Sequence, residues 1–234
     1  MGGQAARRRV GGGPTPPIPV ATTLGDNRPV DYALAVIAGY LLGSIPVALL
    51  VGRAHGVDLR EAGDGNPGAW NAMEVLGARA AAPVFAGDAL KGLAAGLLGL
   101  ALGGTWVGYA AVAASMLGHA FPLFASFRGG KSIMTFAGGA FALAPLAAAV
   151  ALAVCVAVTL VSSFAWGARV GVFGFPLIQL LFYPAVEVAA TGGLMCIIGL
   201  RFLAGRGRGR GRGLRADPTQ PGGRTDGIGS RGAA

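Results

Sequence analysis

Charge is what this chain has least of. Asp, Glu, Lys and Arg make up 12% of it, against roughly 25% in a soluble globular domain. That deficit argues against a water-exposed domain of 234 residues. Cysteine is almost missing too: Cys155 and Cys196 both lie in apolar runs. They read as small buried hydrophobes rather than a disulfide or metal pair. A targeting peptide is also absent from the expected places. No apolar h-region follows Arg7, Arg8 and Arg9, and Pro14, Pro16, Pro17 and Pro19 punctuate the Gly-rich start. Residues 1–30 therefore read as a flexible extension, not a cleaved leader.

What is present is apolar length. Hydrophobic residues reach 53%, and the mean hydropathy is +0.61. A bilayer core of about 30 Å takes roughly 20 apolar residues of helix. Candidate spans are 31–53, 82–102, 106–126, 132–147, 149–166, 170–186 and 187–203. The breaks among the last four rest on Pro145, residues 167–169 and Pro184, so six spans is the alternative count. An open sheet is excluded, because lipid leaves strand edges unsatisfied. The expected fold is all-α, a polytopic membrane bundle over 31–203 with about seven transmembrane helices.

The net charge of +9 suggests nucleic acid until it is located. If 31–53 runs from outside to inside, the inner face receives Arg53, Arg60, Arg79, Arg128, Lys131, Arg169 and Arg201. The short outer loops near 103–105, 145–148 and 186 receive no Lys or Arg. The positive-inside rule then places the N-terminus outside and the C-terminus in the cytoplasm. Trp106 and Trp166 fall at expected interfaces. The tail, 204–234, reads as an Arg-Gly repeat over 205–215 and then as polar, Gly- and Pro-rich sequence; it lacks apolar periodicity, which predicts disorder. Its basic cluster suits anionic lipid headgroups better than RNA, and no nucleic-acid partner is expected.

Two polar islands interrupt the apolar runs. The first follows the first span and contains Gly63, Asp64, Gly65, Asn66, Gly68 and Asn71. Its glycines allow close backbone approach, so N–H groups could converge on an anion; a solvated loop is the alternative. The second is Phe127-Arg128-Gly129-Gly130-Lys131-Ser132, directly before an apolar helix. Backbone N–H groups, a helix N-terminus and an ammonium together suit phosphate. It is not a Walker loop, because Ala125 stands where that motif needs glycine; a simple charge anchor is the alternative. Asp88 and Lys91 are three apart on one helix face and can form a structural pair. His119 is open to packing or proton transfer, since intramembrane ionisable groups usually face a bundle interior or wet cavity. His55, near a helix end, has no assigned role.

At these residues the chain resembles a known family. The segments Gly43-Ser44-Ile45-Pro46, Asp58-Leu59-Arg60, Gly63-Asp64-Gly65-Asn66-Pro67-Gly68-Ala69-Trp70-Asn71, Asp88-Ala89-Leu90-Lys91-Gly92, Gly118-His119-Ala120-Phe121-Pro122 and Phe127-Arg128-Gly129-Gly130-Lys131 occur in order. Over roughly 31–145 they resemble the bacterial acyl-phosphate-dependent glycerol-3-phosphate acyltransferases. The resemblance implies transfer of a fatty acyl group from acyl phosphate to glycerol 3-phosphate in phospholipid synthesis at the plasma (inner) membrane. It implies no metal and no cofactor. By matching position, Asn66 and Asn71 retain the family's first motif and Gly129, Gly130 and Lys131 its second; Asn66, Asp64 and Lys131 are the catalytic candidates. Gly65, Gly68, Asn71, Gly129, Gly130, Ser132, Thr135, His119 and Lys91 become the substrate-binding candidates.

The chain also departs from that pattern. Asp64, Trp70 and Glu74 stand where the family usually has Ser, Thr and Arg, and Ser132 replaces a Gly. The family's C-terminal His, Asn and Glu motif has no counterpart in 201–213. Asp64 and Glu74 add negative charge, which would weaken anion binding unless Arg60, Arg79 or Lys131 pairs with them. The resemblance thus leaves two readings: a divergent acyltransferase, or an inactive relative that binds lipid or a partner. A small-solute transporter would fit the spans but not the ordered motifs.

Overall fold

The computed structural model describes residues 28–212, with side chains to residue 204. Helix is the only regular structure among them. The first helix, α1 (Pro29–Gly43), starts with proline at its first turn, and the Arg28 N–H donates to Asp31 Oδ2 at 3.1 Å. It breaks at Ser44 to Pro46, because Pro46 has no N–H to continue the ladder. Then α2 (Val47–Ala54) follows, and the joined stretch Pro29–Ala54 is long and apolar enough to cross a membrane. The polar segment after it leads to α3 (Ala69–Leu76).

The long α4 (Ala78–Ala120) is two helices divided at Gly103 and Gly104. Gly104 has φ 77°, a conformation that favours glycine. The chain then passes a 3₁₀ turn at Leu123–Ala125 and enters α5 (Ile133–Leu143). Ala144 leaves the helix because Pro145 follows, and a residue before proline is driven out of the α region. Next come α6 (Pro145–Val161), α7 (Phe164–Gln179) and α8 (Ala185–Arg212). Joining α1 to α2 and dividing α4 gives seven segments besides α3, as the apolar runs led one to expect.

Two boundaries differ from expectation. The break sought at 167–169 lies instead at Ser162 and Ser163, where Ser163 Oγ accepts from the Trp166 N–H at 3.4 Å. Gly167 sits inside α7 for packing: a Cβ there would strike Thr159 Oγ1 and the Cys155 carbonyl of α6. The α8 backbone also runs on to Arg212, into the Arg/Gly repeat expected to be disordered. Residues 1–27 and 213–234, which hold most of the expected N-terminal extension and tail, lie outside the described residues.

The outer surface is apolar, with Val161 86%, Leu160 80% and Leu177 70% exposed, as a lipid-facing bundle requires. Inside, α1 lies close against the second half of α4. Cβ atoms added at Gly43 or Gly118 would collide with the Ser115 and Tyr40 carbonyls respectively. Backbones this close leave no room for adjustment, so Gly118→Ala should lower stability by about 1–3 kcal/mol. A thermal melt in detergent would show it as a reduced midpoint; an unchanged midpoint would mean the helices separate freely.

Candidate active site

Three chain breaks meet at one end of the bundle: the α1–α2 break, the polar segment before α3, and the turn between α4 and α5. The polar segment is organised by Asn71, which is fully buried at the start of α3. Its Nδ2 donates to the carbonyls of Leu59 at 2.9 Å and Ala62 at 3.0 Å, and its Oδ1 accepts from the Asp64 N–H at 3.0 Å. Asn71 therefore acts as a post around which the loop winds. The Asn66 N–H donates to Asp64 Oδ1 at 2.9 Å, Gly65 N–H to the Ala62 carbonyl, and Gly68 N–H to the Asn66 carbonyl. These N–H groups are occupied within the loop. What it presents outward is the Asp64 carboxylate.

That carboxylate reaches the second island. Lys131 Nζ lies 3.2 Å from Asp64 Oδ2 and 4.8 Å from the Phe202 ring centroid. Pro67 and Gly130 complete the junction: a Cβ on Gly130 would meet His119 Nε2, and would lie 3.1 Å from the Pro67 carbonyl. Only glycine lets the two islands approach this closely. Beside this junction is a shallow open cleft, lined by Ile45, Pro46, Pro67, Asp88, Lys91, His119, Arg128, Gly129 and Gly130 among others.

Buried charge forms the cleft's inner wall. Asp88 Oδ1 is 2.9 Å from Lys91 Nζ and 3.5 Å from His119 Nδ1. Lys91 Nζ also donates to the Ile45 carbonyl at 3.1 Å, across the α1–α2 break. The expected Asp88–Lys91 pair is therefore present, and His119 joins it. Ser44, fully buried at the same break, has a hydroxyl with no hydrogen-bond partner among the described residues. Among those residues, no group of three His, Cys, Asp or Glu gathers as a metal site would.

Of the sequence candidates, Lys91, His119, Gly129 and Gly130 line the cleft, while Asp64 and Lys131 pair beside it. Asn66, Gly65, Gly68 and Asn71 build the first loop. Ser132 and Thr135 turn away. Ser132 Oγ donates to the Met116 carbonyl at 2.7 Å, and Thr135 is buried where α4 and α5 touch. The departures resolve within the fold as well. Trp70 Nε1 donates to Glu74 Oε1 at 2.7 Å, and the Trp70 ring stacks on Phe164 at 5.5 Å. Trp70 and Glu74 thus hold each other on an exposed face of α3. Asp64 is paired with Lys131, whereas Arg60 pairs with Asp58.

The sequence reading missed Arg201 as a site residue. Its Nε donates to the Gly130 carbonyl at 3.0 Å and its Nη2 to the Gly129 carbonyl at 2.8 Å. In the sequence it counts only as a topology charge, whereas the cleft residue Arg128 already belongs to the second polar island. Nothing in the local pattern around residue 201 marks such a contact.

A family model described as glycerol-3-phosphate acyltransferase matches residues 33–207. The chain belongs to the glycerol-3-phosphate acyltransferase family. Among curated members it is 52% identical over 113 residues to the enzyme of that name from Rubrobacter xylanophilus, covering 48% of this chain and 57% of that protein. The Thermoanaerobacter sp. member is 38% identical over 157 residues, covering 66% of this chain and 79% of the relative. The match to the Rubrobacter relative thus spans little more than half of its length. The fold is similar to the crystal structure of PlsY, an integral membrane glycerol 3-phosphate acyltransferase, in its glycerol 3-phosphate form. That likeness has a TM-score of 0.68 at 31% identity, over 76% of this chain and 90% of the other. The lysophosphatidic acid form gives a TM-score of 0.65 at 30% identity. The family's membrane bundle is thus shared.

Outside the bundle, the Asp58–Arg60 turn offers a pH test. Arg60 Nη2 donates to Asp58 Oδ2 at 2.7 Å. Its side-chain hydrogen bonds, then its backbone N–H, hold the Asp58 carboxyl down at about 2. A depressed carboxyl stabilises the fold above its unfolded value and loses that contribution as pH falls through the folded one. Wild-type protein should therefore lose more of its detergent melting temperature than Asp58→Asn between about pH 4 and 2. Both side chains are partly exposed, so the contribution is under about 1 kcal/mol. Parallel melting curves for the two proteins would sink the assignment.

Proposed function

We propose that this protein transfers a fatty acyl group from acyl phosphate to glycerol 3-phosphate, yielding 1-acyl-glycerol 3-phosphate and phosphate. Its family membership supports this reading, as do the relatives' names and the PlsY forms with glycerol 3-phosphate and lysophosphatidic acid. The observation that carries it is the meeting of the Gly129–Gly130–Lys131 turn with a cleft bearing Lys91, His119 and Arg128. Both substrates are anions that need cations and N–H donors to lie side by side.

In the reaction, the acceptor hydroxyl oxygen bonds to the acyl carbonyl carbon and the carbon–oxygen bond to phosphate breaks. The hydroxyl proton ends on the departing phosphate. The donor is already activated, so the chain's task is orientation and charge stabilisation. Lys131 and the Gly-Gly turn receive a phosphate, Arg128 and Lys91 add positive field, and Asn66 with Asn71 keeps the first loop in place. This end of the bundle faces the cytoplasm of a bacterial plasma membrane, and the basic tail meets anionic headgroups there.

The test is an assay of purified protein with palmitoyl phosphate and labelled glycerol 3-phosphate. Labelled lysophosphatidic acid is the expected product. Its absence, with an active family member as positive control, would overturn the reading. A sharper expectation concerns Asp64, an internal anion on the cation that phosphate must use. Asp64→Ser should lower the KM of a phosphate-bearing substrate by up to about fivefold, the worth of a partly exposed ion pair. A raised KM would instead make Asp64 part of the binding surface.

A further inference from the structure

We infer that Arg201, in the C-terminal half of α8, is a positioning residue that fixes the direction of the Gly129–Gly130–Lys131 backbone through the two carbonyls it grips. The contact is more than a charge near a membrane. A planar guanidinium presents donors in a fixed fork, which suits two acceptors side by side. Here those acceptors are the successive carbonyls of Gly130 and Gly129, at 3.0 and 2.8 Å. The guanidinium also lies over the Phe121 ring, 4.8 Å from its centroid. Phe121 is itself held: its N–H donates to the Leu117 carbonyl at 2.7 Å, and its carbonyl accepts from Tyr40 Oη at 2.8 Å.

The consequence follows from peptide geometry. In a trans peptide the C=O and the N–H of one plane point in opposite directions. Holding the Gly130 carbonyl toward Arg201 therefore turns the Lys131 N–H away from α8. The preceding plane is pinned at both ends, because the Gly129 carbonyl meets Arg201 and the Gly130 N–H donates to the His119 carbonyl at 3.1 Å. The next residue of α8 handles the side chain, with the Phe202 ring 4.8 Å below Lys131 Nζ. The Arg201–Phe202 step thus sets both the backbone and the ammonium of the turn. This inference rests on the acyl-transfer reading for its catalytic consequence, but not for the ordering of the turn.

Full-length Arg201→Ala and Arg201→Lys in detergent test it by two readouts. The first is kcat/KM for acyl transfer, expected to fall about 100-fold in Arg201→Ala, the scale of a displaced binding group. Methylguanidinium added to Arg201→Ala should restore much of the loss by refilling the site. Arg201→Lys keeps the charge and loses the fork, so it should stay well below wild type. The second readout is trypsin cleavage after Arg128 and Lys131, which reports how often the turn opens. It should quicken about tenfold in Arg201→Ala. Cleavage and kcat/KM at wild-type levels in Arg201→Lys would overturn the inference, even if Arg201→Ala fails to fold. Wild-type cleavage in folded Arg201→Ala would overturn it too. If the wild-type protein makes no lysophosphatidic acid, the functional reading falls, and the cleavage readout still decides whether Arg201 holds the turn.

Discussion

Lys131→Ala should lower kcat/KM for acyl transfer by about 10²–10³ while the protein still folds, the cost of losing one charge-stabilising donor at a reacting phosphate or carbonyl. Three observations fix that expectation. Lys131 is held at its base by the turn that Arg201 grips, and at its ammonium by the Phe202 ring on one side and Asp64 on another. An ammonium held this way is poised for an incoming anion, which has only to replace one carboxylate. The side chain is also partly exposed, so its removal leaves no buried group without a partner. Stability should therefore change little, and the melting curve should overlay that of wild type. Lys131→Arg should recover part of the activity, because charge is kept but the compact ammonium is not. Turnover of Lys131→Ala within a few-fold of wild type would remove the residue from the site.

The sequence made the bundle legible because bilayer length and proline placement are local signals. Pro145 and Pro184 mark real breaks, and the charge-free stretch at 103–105 coincides with the break at Gly103 and Gly104. The reading failed where a glycine could mean two things. Gly167 looks like a break in sequence, yet it allows α6 and α7 to touch. That Asp64 would pair was foreseeable from charge alone, with Arg60, Arg79 and Lys131 as the candidate cations; the fold selects Lys131. The Trp70–Glu74 pair was less so, although an i, i+4 spacing permits it. It becomes visible only when both departures are seen on one exposed face of α3. Arg201 was beyond local reasoning altogether. Its partners lie 71 and 72 residues away and are backbone carbonyls, which carry no mark in the sequence.

The largest effect on stability is expected at Asp88. Its carboxylate is 1% exposed and stands between Lys91, itself 6% exposed, and His119, 7% exposed. Asp88→Ala removes the one acidic partner shown at this ammonium and leaves it with the Ile45 carbonyl. Breaking a buried ion pair from one side costs about 3–5 kcal/mol, because the remaining charge stays desolvated. Removing both charges costs much less, since the desolvation disappears with them. Asp88→Ala/Lys91→Met should therefore melt above Asp88→Ala, a coupling that a double-mutant cycle isolates. Asp88→Asn separates charge from hydrogen bonding: it keeps an acceptor for Lys91 and His119 but not the negative charge, so it should melt between wild type and Asp88→Ala. The cluster also ties α4 to the α1–α2 break through Ile45, so its loss should loosen the cleft wall and reduce turnover even at temperatures where the variant is folded. If the double variant melts no higher than Asp88→Ala, the pair contributes packing alone. The charges at the cleft wall would then need a role other than stability.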